Sequence, residues 1–199
     1  MTMKALWGAA AALALAITPG SAIAGWKIMA PGTPVAVAKS TMTVTPGNEW
    51  NKWSARPSKK GEIWTMDGMS LNELSFFAGI ASGETILKDR KKKDRPLPKF
   101  DSKMLLPDVV QLYEGTMRIA LATSAFTVDT VEPVKFAGHD GVAFTYHYTV
   151  EQDNLLRKGE GRAAVIGGKL YMANFIAPSI HYFDRDIAQV RTLMDSIKI

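Results

Sequence analysis

GRAAVIGGKLYMANFIA, residues Gly161 to Ala177, decides the fold. Two β-rich runs flank Gly167-Gly168. A two-residue type I′ turn needs positive φ at both central positions, which two glycines supply without steric cost. The runs therefore pair as an antiparallel hairpin. Just upstream, Val142, Phe144, Tyr146, Tyr148 and Val150 alternate with Ala143, Thr145, His147 and Thr149, the period of a strand with one aromatic face. His139-Asp140-Gly141 reads as the turn that returns this strand against Phe126 to Phe136, a run rich in Val and Thr. Downstream, Phe183, Ile187, Val190, Met194 and Ile197 recur at spacings of four and three, which predicts an amphipathic helix docked on the sheet. Upstream, Val110, Tyr113, Met117 and Leu121 give the same period over Val109 to Ala122. Pro107 suits a first helical position there, and Asp108 and Glu114 place negative charge toward the N-terminal half. Strands grouped together, with helices before and after them, predict an α+β fold: an antiparallel β-sheet with helices packed on its faces.

The first half is less regular. Gly25 to Pro34 reads as an irregular lead-in, and Val35 to Ala38 and Met42 to Thr45 as short strands with a turn at Pro46-Gly47-Asn48. Trp50, Trp53 and Trp64 follow, interrupted by Arg56 to Gly61. Asp67-Gly68 forms a tight turn, and Leu71 to Ile80 reads as a strand. Lys88-Asp89-Arg90-Lys91-Lys92-Lys93-Asp94-Arg95 holds six basic and two acidic residues. Pro96 and Pro98 keep that run out of a helix or a central strand.

The N-terminus carries an export signature. Lys4 precedes an apolar stretch from Ala5 to Ile17; Pro19-Gly20 breaks it, and Ala22-Ile23-Ala24 offers the small-x-small site of a signal peptidase. Thirteen apolar residues are too few to cross a bilayer, which takes about 20. Residues 1–24 are thus expected to be a cleaved signal peptide, with residues 25–199 a single α+β domain in the periplasm and no transmembrane anchor after cleavage. Cleavage leaves 23 basic and 19 acidic residues. A mild positive excess favours anionic partners. In the periplasm these are an envelope protein or an anionic lipid surface, not nucleic acid.

No stretch carries an enzyme or cofactor signature. Gly159-x-Gly161-x-x-Ala164 matches the dinucleotide fingerprint by letter, but a strand follows where a helix must begin. Gly168-Lys169 lacks the first glycine and the Ser or Thr of a phosphate loop. His139, His147 and His181 show no zincin spacing, and without cysteine there is no thiolate site. His181 with Asp184 and Asp186 reads as a helix start. His147 lies on the small-residue face of its strand and is expected to be half-buried and hydrogen-bonded. No catalytic residue, cofactor or metal ligand is assigned.

The glycine turn, the aromatic strand, the Gly-Gly hairpin leading into Lys169-Leu170-Tyr171 and the terminal helix running into Asp195-Ser196-Ile197-Lys198 resemble the PsbP-like superfamily. That resemblance implies an α/β/α sandwich and transfers no site. Trp64-Thr65-Met66-Asp67-Gly68, Pro96-Leu97-Pro98 and Phe136-Ala137-Gly138-His139-Asp140-Gly141 are in addition similar to uncharacterised exported proteobacterial proteins. The superfamily's characterised members are binding or assembly factors, which implies by analogy a non-enzymatic accessory module of the cell envelope. Lys88, Arg90, Lys91, Lys92, Lys93 and Arg95 are the candidate contacts to an anionic surface; Trp50 and Trp53 are candidate ligand or partner contacts. Two other readings remain open from the residues. One is a small hydrolase using His139, His147 or His181 with nearby carboxylates, which requires a histidine in a cleft. The other is a small-ligand carrier with its pocket under the tryptophan segment, which requires roughly 300 Å³ or more.

Overall fold

The structure, a computed structural model, describes residues 25–90, 93–150 and 153–199. The signal-peptide segment and Lys91 and Lys92 lie outside the described residues. The strands are β1 (Trp26–Met29), β2 (Val35–Ala36), β3 (Thr43–Val44), β4 (Trp50–Trp53), β5 (Gly61–Thr65), β6 (Glu73–Ile80), β7 (Phe126–Phe136), β8 (His139–Tyr148), β9 (Arg157–Ile166) and β10 (Lys169–Pro178). The helices are α1 (Leu106–Ala120) and α2 (Tyr182–Asp195). Eight strands form one antiparallel sheet in the order β1-β4-β5-β6-β10-β9-β8-β7, and β2 pairs with β3 beside it.

The sheet carries a core on each face. Val110, Tyr113 and Met117 of α1 pack with Phe126, Phe144, Tyr146 and Met172 on one side. On the other, Val190, Leu193 and Met194 of α2 pack with Trp64, Phe76, Ala173 and Phe175, and β2–β3 adds Met42 and Val44. This is the α+β sandwich that the periodicities predict. The Gly167-Gly168 turn is also as expected, with φ of 58° and 72°. The polar groups buried between α1 and the sheet are paired, which offsets the cost of their desolvation. The Tyr113 and Tyr146 hydroxyls lie 2.9 Å apart, and Tyr146 donates to Asn174 Oδ1 at 2.9 Å.

Three expectations change. Residues 26–29 are a strand, not an irregular lead-in: they pair with β4 across Trp26–Trp53 and Met29–Trp50. The turn between β7 and β8 is Ala137-Gly138, at φ of 52° and 82°, and His139 already belongs to β8. Strand β9 begins at Arg157 rather than Gly161, because Gly159 and Gly161 are strand residues. They face Tyr146 and Phe144 across the β8–β9 ladder, and the aromatic rings fill the space where a side chain would stand. That packing, not a phosphate, explains the Gly-x-Gly spacing. The His181, Asp184 and Asp186 cluster is the expected helix start: α2 begins at Tyr182, with Asp184 in its first turn. Asp184 is exposed, whereas Asp186 is buried and accepts from Asn72 Nδ2 at 3.1 Å and Arg185 Nε at 2.7 Å.

The same network explains the Trp64-Thr65-Met66-Asp67-Gly68 motif. Asn72 Oδ1 accepts from the Thr65 hydroxyl at 2.7 Å and the Met66 amide at 2.8 Å. Arg185 bridges Asp67 and Asp186. The β5–β6 corner is thereby tied to the first turn of α2.

Candidate functional site

Helix α1 lies over β7, β8 and β9 and leaves the same face of β4, β5 and β6 to the segment between β6 and α1. Side chains alternate along a strand, and the register puts Trp53, Ile63 and Glu73 on that shared face. They floor a cavity of about 420 Å³. One wall is formed by Leu87, Lys88, Asp89, Arg90, Arg95 and Leu97; the other is the end of α1 at Ile119 and Ala120, with Met69 closing the side. The lining is largely apolar. Its charged members are Lys88, Arg90 and Arg95, which are exposed, and Arg56, Asp89 and Glu73, which are half-buried, Glu73 on the sheet. Glu73 accepts from the Ser75 hydroxyl at 2.6 Å, and burial pushes its carboxyl above the ordinary glutamate range.

A second cavity of about 840 Å³ adjoins the first across residues 87–89 and is lined by Arg56, Lys59, Lys60, Lys88 and Lys99, with Glu84 and Asp89 among them. Two chain segments meet here because the Lys88 amide donates to the Pro57 carbonyl at 2.8 Å. Arg56 is structural in this arrangement: its guanidinium donates to the carbonyls of Gly61 at 3.0 Å and Ala38 at 3.1 Å. Asp89 folds the loop on itself by accepting from the Leu97 amide at 3.2 Å. Among the described residues, the ion pairs do not include Lys59, Lys60, Lys88, Arg90, Lys93 or Arg95.

The architecture aligns with the solution structure of cyanobacterial PsbP (CyanoP) from Synechocystis at a TM-score of 0.52 and 15% identity, covering 93% of this chain and 98% of that one. The fold is PsbP-like. LpqN of Mycobacterium tuberculosis, described as involved in cell envelope biogenesis, aligns over 87% of this chain and 90% of its own, at 10% identity and a TM-score of 0.40. No family model and no curated protein matches the sequence. At these identities the likeness speaks for the fold alone.

On this PsbP-like sheet the predicted contact residues divide. Trp53 lines the first cavity together with Lys88, Arg90 and Arg95, so the tryptophan segment and the basic run converge. Trp50 is corrected: it is 1% exposed and packs 6.4 Å from the Trp64 ring, beyond reach of any ligand or partner. Its alternation partner explains this, since residues 50 and 53 point to opposite faces of β4. Trp26, which stacks on Trp53 at 6.5 Å, takes the surface place expected of Trp50 and is 45% exposed. Lys93 is exposed nearby. Among the described residues the basic run holds neither helix nor strand, as expected, and Leu97 just beyond it is buried.

The histidines do not converge. His139 starts β8, His147 stands near its other end and His181 precedes α2. His147 is half-buried and hydrogen-bonded, as its place on the strand implies, with Nδ1 2.8 Å from Asp129 Oδ1. That pair lies on an open sheet surface, and neither cavity is lined by a histidine. Among the described residues, no helix is long and apolar enough to cross a membrane.

Lys59, Lys60, Lys99, Glu73, Ile63, Met69 and Ile119 are site residues that sequence reasoning missed. The lysines carried a signal in the Arg56 to Gly61 interruption. The apolar lining carried none, since its members come from four separate elements.

Proposed function

We propose that this protein is an exported, non-enzymatic accessory module of the cell envelope that docks on an anionic periplasmic surface through the face formed by residues 56–60 and 88–99. The observation behind this reading is the convergence of Lys59, Lys60, Lys88, Arg90, Arg95 and Lys99 around two adjoining cavities, one of them floored by Trp53. Cations brought together from two segments create a local potential that neither segment has alone. The apolar floor and Trp26 at its edge add contact area that a solvating charge run lacks. The Ala22-Ile23-Ala24 site supports export, and in the periplasm anionic lipid is an abundant counterpart for a chain of net positive charge.

The test is sedimentation with vesicles containing phosphatidylglycerol. A basic residue near such a surface contributes about 1 kcal/mol. Replacing Lys88, Arg90, Lys93 and Arg95 with Gln should therefore weaken binding by up to about 4 kcal/mol, several hundred-fold in partition. Raising the salt should release the wild type, because exposed charges are screened beyond roughly 8–10 Å. Equal sedimentation of wild type and variant at low salt would refute the docking face.

A further inference from the structure

The cavity beneath Trp53 is more than a dent in a basic surface. Its walls are apolar, its mouth is cationic and its inner end is acidic. Ile63, Met69, Leu97 and Ile119 offer hydrocarbon contact, and Trp53 offers an aromatic face. The volume, about 420 Å³, falls in the range of small-molecule sites. The exposed residues Lys88, Arg90 and Arg95 all come from one wall, so they gather on the solvent side.

We propose that this pocket takes the alkyl chain of an anionic single-chain amphiphile, with its head group held at the mouth by Lys88, Arg90 and Arg95. The inference rests on the docking reading above and specifies what its site binds. Charge complementarity fixes the orientation. An anionic head turned inward would meet the Glu73 carboxyl; turned outward it meets the Lys88 ammonium and the Arg90 and Arg95 guanidinium groups, which outnumber the Asp89 carboxylate on that wall. Guanidinium forks match both phosphate and carboxylate oxygens in bidentate geometry. The alkyl chain then lies on Trp53, Ile63 and Met69, where it removes apolar surface from water on both sides. A free anion gains only the mouth and a neutral amphiphile only the floor. The pocket thus selects molecules that carry both parts.

The experiment is isothermal titration calorimetry of the mature protein with dodecyl phosphate and, separately, dodecanoate, each below its critical micelle concentration. Dodecyl maltoside and inorganic phosphate are the controls. Saturable binding of at least one anionic amphiphile is expected, about tenfold or more tighter than the maltoside, since a charge-assisted contact is worth that factor. The arm that binds tells whether phosphate or carboxylate is the preferred head. Changing Arg90 and Arg95 to Gln should cost about tenfold for the anionic ligand and leave the maltoside unchanged. Ala120→Trp, at an exposed position on the wall, fills the pocket and should abolish amphiphile binding without lowering vesicle sedimentation. Binding of neither amphiphile by a protein that still sediments with anionic vesicles would overturn this inference and leave the docking face standing. Undiminished binding by a folded Ala120→Trp variant would overturn it as well. Loss of vesicle sedimentation in the wild type would remove the docking reading itself.

Discussion

Gly161→Val is expected to lower the stability of the fold by about 3 kcal/mol, a change that thermal denaturation will register as a fall of roughly 6–12 °C for a chain of this length. A Cβ at position 161 would stand 2.3 Å from Phe144 Cζ. The ring has no room to yield. Phe144 is fully buried, packs 5.3 Å from the Tyr113 ring of α1 and lies over β9 beside Tyr146. Removing a strand glycine normally returns about 0.5–1 kcal/mol of backbone entropy. Overpacking outweighs that gain because the displaced ring must press on α1. Gly159 repeats the arrangement, with Tyr146 Cζ 2.1 Å from its added Cβ. Phe144→Leu combined with Gly161→Val should recover part of the loss, since the two residues share one space and their effects are not additive. An unchanged melting temperature for Gly161→Val would mean that the aromatic–glycine pairing is not tight.

Ending the chain after Asp184 should abolish the cooperative unfolding transition. The deletion removes Val190, Leu193, Met194 and Ile197, all buried. At roughly 2 kcal/mol per large side chain the loss is about 8 kcal/mol, within the whole stability of a typical domain, 5–15 kcal/mol. It also uncovers Trp64, Phe76 and Phe175 and strips Asn72 of its contact with Asp186. The β2–β3 unit loses its bridge from Thr43 to Lys198. Calorimetry of the truncated protein checks this: a retained sharp transition would show that α2 is not needed to close its face of the sheet.

What the sequence made legible follows from the range of each signal. The Gly167-Gly168 hairpin, the aromatic alternation of β8 and the two helix periods are local, and each is found where the spacing puts it. Helix α2 departs at one position, where Asp186 is buried and Ile187, which the apolar spacing assigns to the core, is half-buried. The Asp186 partner Asn72 lies just before β6, a meeting that no local pattern announces. Strand β1 was hidden for a similar reason. Its four residues gain their pairing from β4, more than twenty positions away. Gly159 and Gly161 carried only a letter match to a nucleotide motif, because the rings that fill their places come from the neighbouring strand. The site was half legible. The basic run and Trp53 stood out by composition, but Trp50 and Trp53 were indistinguishable until the register set them on opposite faces. Glu73, Ile63 and Ile119 are ordinary residues in sequence, and only the gap left by α1 on the sheet makes them a floor.

Hydrogen–deuterium exchange of the mature protein, with and without phosphatidylglycerol vesicles at low salt, tests the central claim most directly. The account predicts slowed exchange in peptides covering residues 53–60 and 86–99, with the open surface of β7 and β8 and the outer side of α2 unchanged. Protection confined to that β7–β8 surface or to α2, or no change anywhere, would contradict it.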